Sequence, residues 1–219
     1  GLDYAVFLEE VRRVVEPVIV AHGGSTRGVA AEYTGAMPLI NAIQNTLLRD
    51  LFVSFLSACL VISLVTMAVE GGIVPGLLAM VPNVFPMVVL FGLLGWTRTT
   101  LDIGSVMTAS VALGMAVDGT FHFLTFFRRG LAAAGGSATP AGRAAAVMAA
   151  FRHAAPALLQ TALVCGIGIL AFVPSPFAPT RRFALMLSLL VASALVGDLV
   201  VLPALLATRA GRWFRSARV

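Results

Sequence analysis

Two carboxylates stand in stretches that are otherwise apolar enough to cross a bilayer. Asp118 lies near the middle of LDIGSVMTASVALGMAVDGTFHFLTFFRR (101–129), and Asp198 lies in VGDLVVLPALL (196–206). An acid at the centre of a membrane helix costs about 2.5–3.5 kcal/mol on insertion scales. It persists there only with a partner, a water-filled cavity or a proton. His122 follows Asp118 by four residues and Thr125 follows by seven, so a helix places all three on one face. A carboxylate, an imidazole that titrates near neutrality and a hydroxyl in a row can hand on protons. The same residues also fit a static hydrogen-bonded pair that pins two helices together. Asp198 either joins this polar site or caps a neighbouring helix.

Other chemistries fit less well. His22, His122 and His153 fall in three separate regions without paired spacing, so no metal site is expected. No cofactor motif is present. Gly197-Asp198 and Pro203-Ala204-Leu205 echo the signatures of intramembrane aspartyl proteases. There the two signatures lie on different helices, whereas here they share one, so an enzyme is not expected. Asp102 reads as a helix-start residue favoured by the N-terminal dipole. Cys59 and Cys165 both lie in apolar runs and read as unpaired packing residues.

The elements that must carry the acids are membrane helices. Of 219 residues 59% are hydrophobic and 11% charged, against about half and a quarter in a soluble domain. Five runs are each long enough for a hydrocarbon core of about 30 Å. They lie near 50–69, 73–96, 101–127, 154–173 and 183–206. Pro75, Pro82 and Pro86 predict kinks in the second, and Trp96 suits its interfacial end. The third is rich in small residues. Gly114, Ala116 and Gly119 are its expected packing and hinge positions, where helices approach closely or slide.

There is no lysine, and arginine sets the orientation. Arg128, Arg129, Arg143 and Arg152 follow the third span, and Arg209, Arg212, Arg215 and Arg218 follow the fifth. Only Arg98, Arg181 and Arg182 lie on the other side. The bias places the C-terminus in the cytoplasm and the N-terminus outside. Asp118 stands ten residues before Arg128 and Asp198 eleven before Arg209. In this topology both acids therefore lie at similar depth, about 15 Å from the arginines. No basic patch interleaves with exposed aromatics, which argues against a nucleic-acid partner.

Residues 1–47 read as the remnant of a soluble α/β domain, and 48–219 as the transmembrane domain. Residues 1–22 have the apolar spacing of an amphipathic helix, which Pro17 is placed to kink or end. GVAAEYT (28–34) alternates like a short strand. From Pro38 a helix runs into the first span. An outside N-terminus without a signal peptide implies the C-terminal piece of a longer polytopic protein. The connection 130–153 is expected to hold a short interfacial helix from Pro140, with a loose loop as the alternative. VPSPFAPTRR (173–182) reads as a rigid outer loop.

GMAVDGTFHFLTFFRRG (114–130) resembles the signature at the end of the fourth helix of a repeat in the resistance-nodulation-division superfamily. The MMPL-type branch, which includes hopanoid and lipid exporters and relates to sterol-sensing proteins, is the most similar. LLAMVPNVFPMVVLFGLLGW (77–96), LDIGSVMTASVALG (101–114) and GDLVVLPALL (197–206) agree with it, and the resemblance covers about residues 33–206. It implies a twelve-helix transporter of two repeats in a bacterial inner membrane. This chain would be the end of the second extracytoplasmic domain plus helices eight to twelve. The implied function is export of a hydrophobic or lipid-like substrate, driven by proton flux. Asp118 falls on the family's acidic position of the tenth helix, with His122, Thr125 and Asp198 as candidate relay neighbours. The implied partners are the lipid bilayer, the substrate, the N-terminal half of the same transporter and, as an open option, a homo-oligomer. Many relatives carry a second acid or a tyrosine directly after the aspartate, whereas here Gly119 stands. The alternatives are a SecD/SecF-type export accessory, whose comparable helix carries other polar residues, and a sterol-sensing-type sensor or scaffold without transport.

Overall fold

The computed structural model describes residues 4–22, 31, 36–98, 103–133 and 139–214. Among them the regular structure is helical and no strand occurs. The chain divides into two units, Gly1–Asp50 and Leu51–Val219.

In the first unit, α1 spans Tyr4–Ala21 and continues through Pro17. Of the expected strand at 28–34 only Ala31 is described, and it has no regular structure; the remainder lies outside the described residues, as do Gly23 and Gly24. The helix α2, Ala36–Glu70, begins in this unit. It joins the expected helix from Pro38 to the first span without a break.

The second unit holds the rest of α2, then α3 (Ile73–Trp96), α4 (Ile103–Ala133), α5 (Pro140–Leu170) and α6 (Ala178–Val196). A five-residue π turn, Gly197–Val201, leads into α7 (Leu202–Ala207), and a 3-10 turn, Arg209–Trp213, follows. By length and composition five helices can cross a membrane: Asn45–Glu70, Ile73–Trp96, Gly104–Ala133, Pro140–Leu170 and Ala178–Ala207.

Two expectations need correction. The short interfacial helix and the fourth span are one helix. Pro140 opens it, the Thr139 hydroxyl accepts from Gly142 N at 3.2 Å, and Pro156 is absorbed inside. The alanine-rich run 144–150 is a strong helix former with nothing to stop it. Its Ala146, Ala150 and Ala154 are buried. A Cβ on Gly130 would lie 3.0 Å from Ala146 Cα, so α4 and α5 cross almost backbone to backbone. The outer loop is likewise shorter than expected. Pro179, Arg181 and Arg182 form the first turns of α6, where a proline's missing N–H removes no helical bond.

α4 is the central helix and packs against α3, α5 and α6. Two apolar clusters hold the bundle. One joins Ala79, Phe123, Phe127, Ala150, Leu202 and Leu206, and the other joins Phe55, Leu90, Ala109, Leu113, Leu187 and Leu190. Along α3, α4 and the last helix, residues 83, 120 and 198 fall between these two sets. A polar layer is thus enclosed above and below by apolar packing.

A second polar contact closes one end of the bundle. Glu70, 2% exposed at the end of α2, accepts from Arg128 Nη2 of α4 at 2.8 Å. The guanidinium also donates to the Val69 carbonyl, at 3.3 and 3.4 Å.

Candidate functional site

The site lies where α4, α5 and α6 leave a cavity of about 420 Å³. Asp118, Gly119 and His122 line it from α4, Thr161 and Cys165 from α5, Leu190 and Ala194 from α6, and Asp198 from the π turn. The two acids therefore reach one space from different helices. Most of the other lining side chains are apolar, as Ala157, Leu158 and Leu195 are.

The two acids differ in setting. Asp118 is exposed and belongs to a stripe of α4 formed by Met107, Val111, Gly114, His122 and Thr125, all exposed as well. Asp198 is 5% exposed. Its Oδ1 lies 2.7 Å from Thr120 Oγ1, and that oxygen lies 2.8 Å from Oδ1 of Asn83 on α3. Asn83 Nδ2 donates to the Ala79 carbonyl at 3.2 Å. Asn83 and Thr120 are each 1% exposed. Three helical elements thus meet through three polar side chains in the layer between the apolar clusters.

Local backbone chemistry places Asp198. Leu202 N donates to the Gly197 carbonyl, a bond one residue longer than the α-helical one. Pro203, just beyond, has no N–H with which to continue the α pattern back to Leu199. On α3, Pro86 cannot donate to the Pro82 carbonyl, which Gly197 approaches; a Cβ on Gly197 would lie 2.9 Å from it. The glycine lets the π turn press against a backbone that proline has left open.

The sequence-predicted residues separate as follows. Asp118, His122, Asp198 and Gly119 come together at the cavity. His122 packs edge-on against Phe126, 5.1 Å between centroids, and Phe126 stacks on His153 at 5.4 Å. Thr125 donates to the Phe121 carbonyl at 2.8 Å and is not among the cavity-lining residues. Ala116 is buried, 2% exposed. Gly114 faces open space, because a Cβ there meets nothing within 4 Å among the described residues. Gly119 is the reverse. A Cβ there would overlap Asp198 Oδ2 and lie 3.3 Å from Leu158 Cδ2. A side chain at position 119 has no room, because the carboxylate of Asp198 stands over it. Asp102 lies outside the described residues.

Thr120 and Asn83 are absent from the sequence-derived candidates. Asn83 had a signal, an amide inside a proline-rich apolar run; Thr120 had none beyond a hydroxyl next to the acid. No group of three or more histidine, cysteine or acidic residues among the described residues is placed to hold a metal ion. Comparison with protein-family models, with curated proteins and with solved structures yields no match.

Proposed function

We propose that this chain forms the C-terminal helices of a proton-driven exporter of the resistance-nodulation-division superfamily, MMPL-type, moving a hydrophobic or lipid-like substrate. The observation that carries this reading is the shared cavity: carboxylates from two different helices, with His122 beside them, line one space between apolar helices. Buried or intramembrane acids that line a cavity mark proton and ion pathways. The motif 114–130 adds the family. In this reading the protein sits in a bacterial inner membrane, with its N-terminus outside and its C-terminus in the cytoplasm. Asp118 binds and releases the proton, and His122 exchanges it with the cavity. The N-terminal repeat of the same transporter covers the stripe of α4 that carries Asp118. The protein is a transporter rather than an enzyme, and it works without a cofactor.

The test is substrate efflux by the full-length transporter in proteoliposomes under an imposed pH gradient, with and without Asp118→Asn. Gradient-driven flux that the substitution abolishes, with insertion intact, is the expected result. Flux indifferent to both gradient and substitution would leave Asp118 a packing residue and favour a sensor or an export accessory.

A further inference from the structure

The buried contacts around Thr120 cannot all be ordinary hydrogen bonds to an ionised acid. Thr120 Oγ1 faces two oxygens, Asn83 Oδ1 at 2.8 Å and Asp198 Oδ1 at 2.7 Å. A hydroxyl has one hydrogen and two lone pairs, so it donates to one of them and must accept from the other. Amide orientation decides which. Asn83 Nδ2 points at the Ala79 carbonyl, 3.2 Å away. Turning the amide round would set oxygen against oxygen there and lose that bond. Asn83 therefore presents its oxygen to Thr120, and Thr120 donates to Asn83. The remaining hydrogen, between Asp198 and Thr120, then has to come from Asp198.

We propose that Asp198, Thr120 and Asn83 form a proton-dependent latch between the π turn, α4 and α3. In the closed latch Asp198 is a neutral acid that donates to Thr120, which donates to Asn83. When the proton leaves into the cavity that Asp198 lines, the carboxylate accepts, and the Thr120 hydroxyl rotates to donate to it. Asn83 Oδ1 then faces a lone pair. The Thr120–Asn83 bond is lost, or it reverses by rotation of the amide at the expense of the bond to Ala79. Either way, one proton changes how α3 is tied to α4. Asp118 and His122 of α4 and Cys165 of α5 are the titratable groups that share the cavity with Asp198; α3 presents only the neutral Asn83. Thr120 and Asn83 are positioning residues, because they act through Asp198. The latch stands whether or not a substrate moves, so it goes beyond the transport reading.

Infrared difference spectroscopy of the protein in lipid vesicles, as pH is raised, reads both halves. At neutral pH the wild type is expected to show a protonated-carboxyl C=O stretch that Asp198→Asn removes and Asp118→Asn leaves in place. Asp198→Asn keeps an N–H donor beside Thr120, so the variant is expected to fold. As the carboxyl band titrates away, an asparagine amide band is expected to shift with the same midpoint. Thr120→Val should uncouple the amide shift from the carboxyl, and Thr120→Ser should restore it. A neutral-pH spectrum that Asp198→Asn leaves unchanged would overturn the proposal, as would an amide shift that survives Thr120→Val. The efflux test of Asp118→Asn is a separate readout, so either idea can fail alone.

Discussion

Gly119→Ala adds one methyl group on the buried side of α4. The new Cβ would overlap Asp198 Oδ2 and approach Asp198 Cγ to 3.2 Å. The carboxylate is short and tied at Oδ1, so it cannot swing clear and keep its 2.7 Å contact with Thr120. Leu158 Cδ2, at 3.3 Å, crowds the other side. Overpacking of this kind costs about 1–3 kcal/mol. A buried polar group that loses its partner costs about 1–3 kcal/mol more. Alanine in place of glycine returns about 0.5–1 kcal/mol in a helix. The net is a destabilisation of about 3 kcal/mol by these magnitudes. Gly114→Ala, five residues earlier on the same helix, meets nothing within 4 Å. It should therefore be neutral or stabilising by about 0.5–1 kcal/mol. Reversible unfolding in mixed micelles, with both variants beside wild type, measures the difference. Equal effects at the two glycines, or a stabilising Gly119→Ala, would refute the packing of Asp198 over Gly119.

Glu70→Ala should destabilise by about 2–4 kcal/mol, since it strips a partner from a largely buried ion pair. A double-mutant cycle with Arg128→Ala should then return a coupling energy of about 1–3 kcal/mol, measured by the same unfolding assay. Gly197→Ala should push the π turn off the Pro82 carbonyl and destabilise by about 1–3 kcal/mol. A cysteine pair placed across α3 and the turn would report the separation as a slower crosslinking rate.

The five spans were legible because the apolar runs are long and most of their ends carry arginine, glycine or proline. Asp118 and Asp198 were legible because a charge in such a run is rare. The fused helix at 140–170 was not, because hydropathy rises only after Ala154 while the helix-forming alanines begin well before it. The pairing of Glu70 with Arg128 could not be read either. Each residue taken alone looks like the polar end of a span, and nothing local links positions 58 apart. Thr120 escaped notice for a similar reason, since a threonine in a membrane helix can satisfy itself on its own backbone, as Thr66 does on the Ile62 carbonyl. Its role comes from what α3 and the π turn bring to it. Gly119 was visible as a small residue in a membrane helix, but what requires it, a carboxylate from the last helix, was not.

The π turn also fixes the chain's tolerance of gaps. A π turn holds one residue more than the α-helix that would replace it. Deleting Leu199 or Val200 would let the segment revert to α geometry while everything beyond it keeps nearly the same place, because the turn already absorbs the extra residue. Leu202 and Leu206, both fully buried, would stay in the core, and the change would be confined to the turn that sets Asp198 beside Thr120. Sequences descended from a common ancestor with this one should therefore tolerate the loss of one residue across 199–201 better than elsewhere in the last helix. A one-residue gap there in an alignment would mark proteins whose last helix runs on as unbroken α-helix, without the turn that aims Asp198.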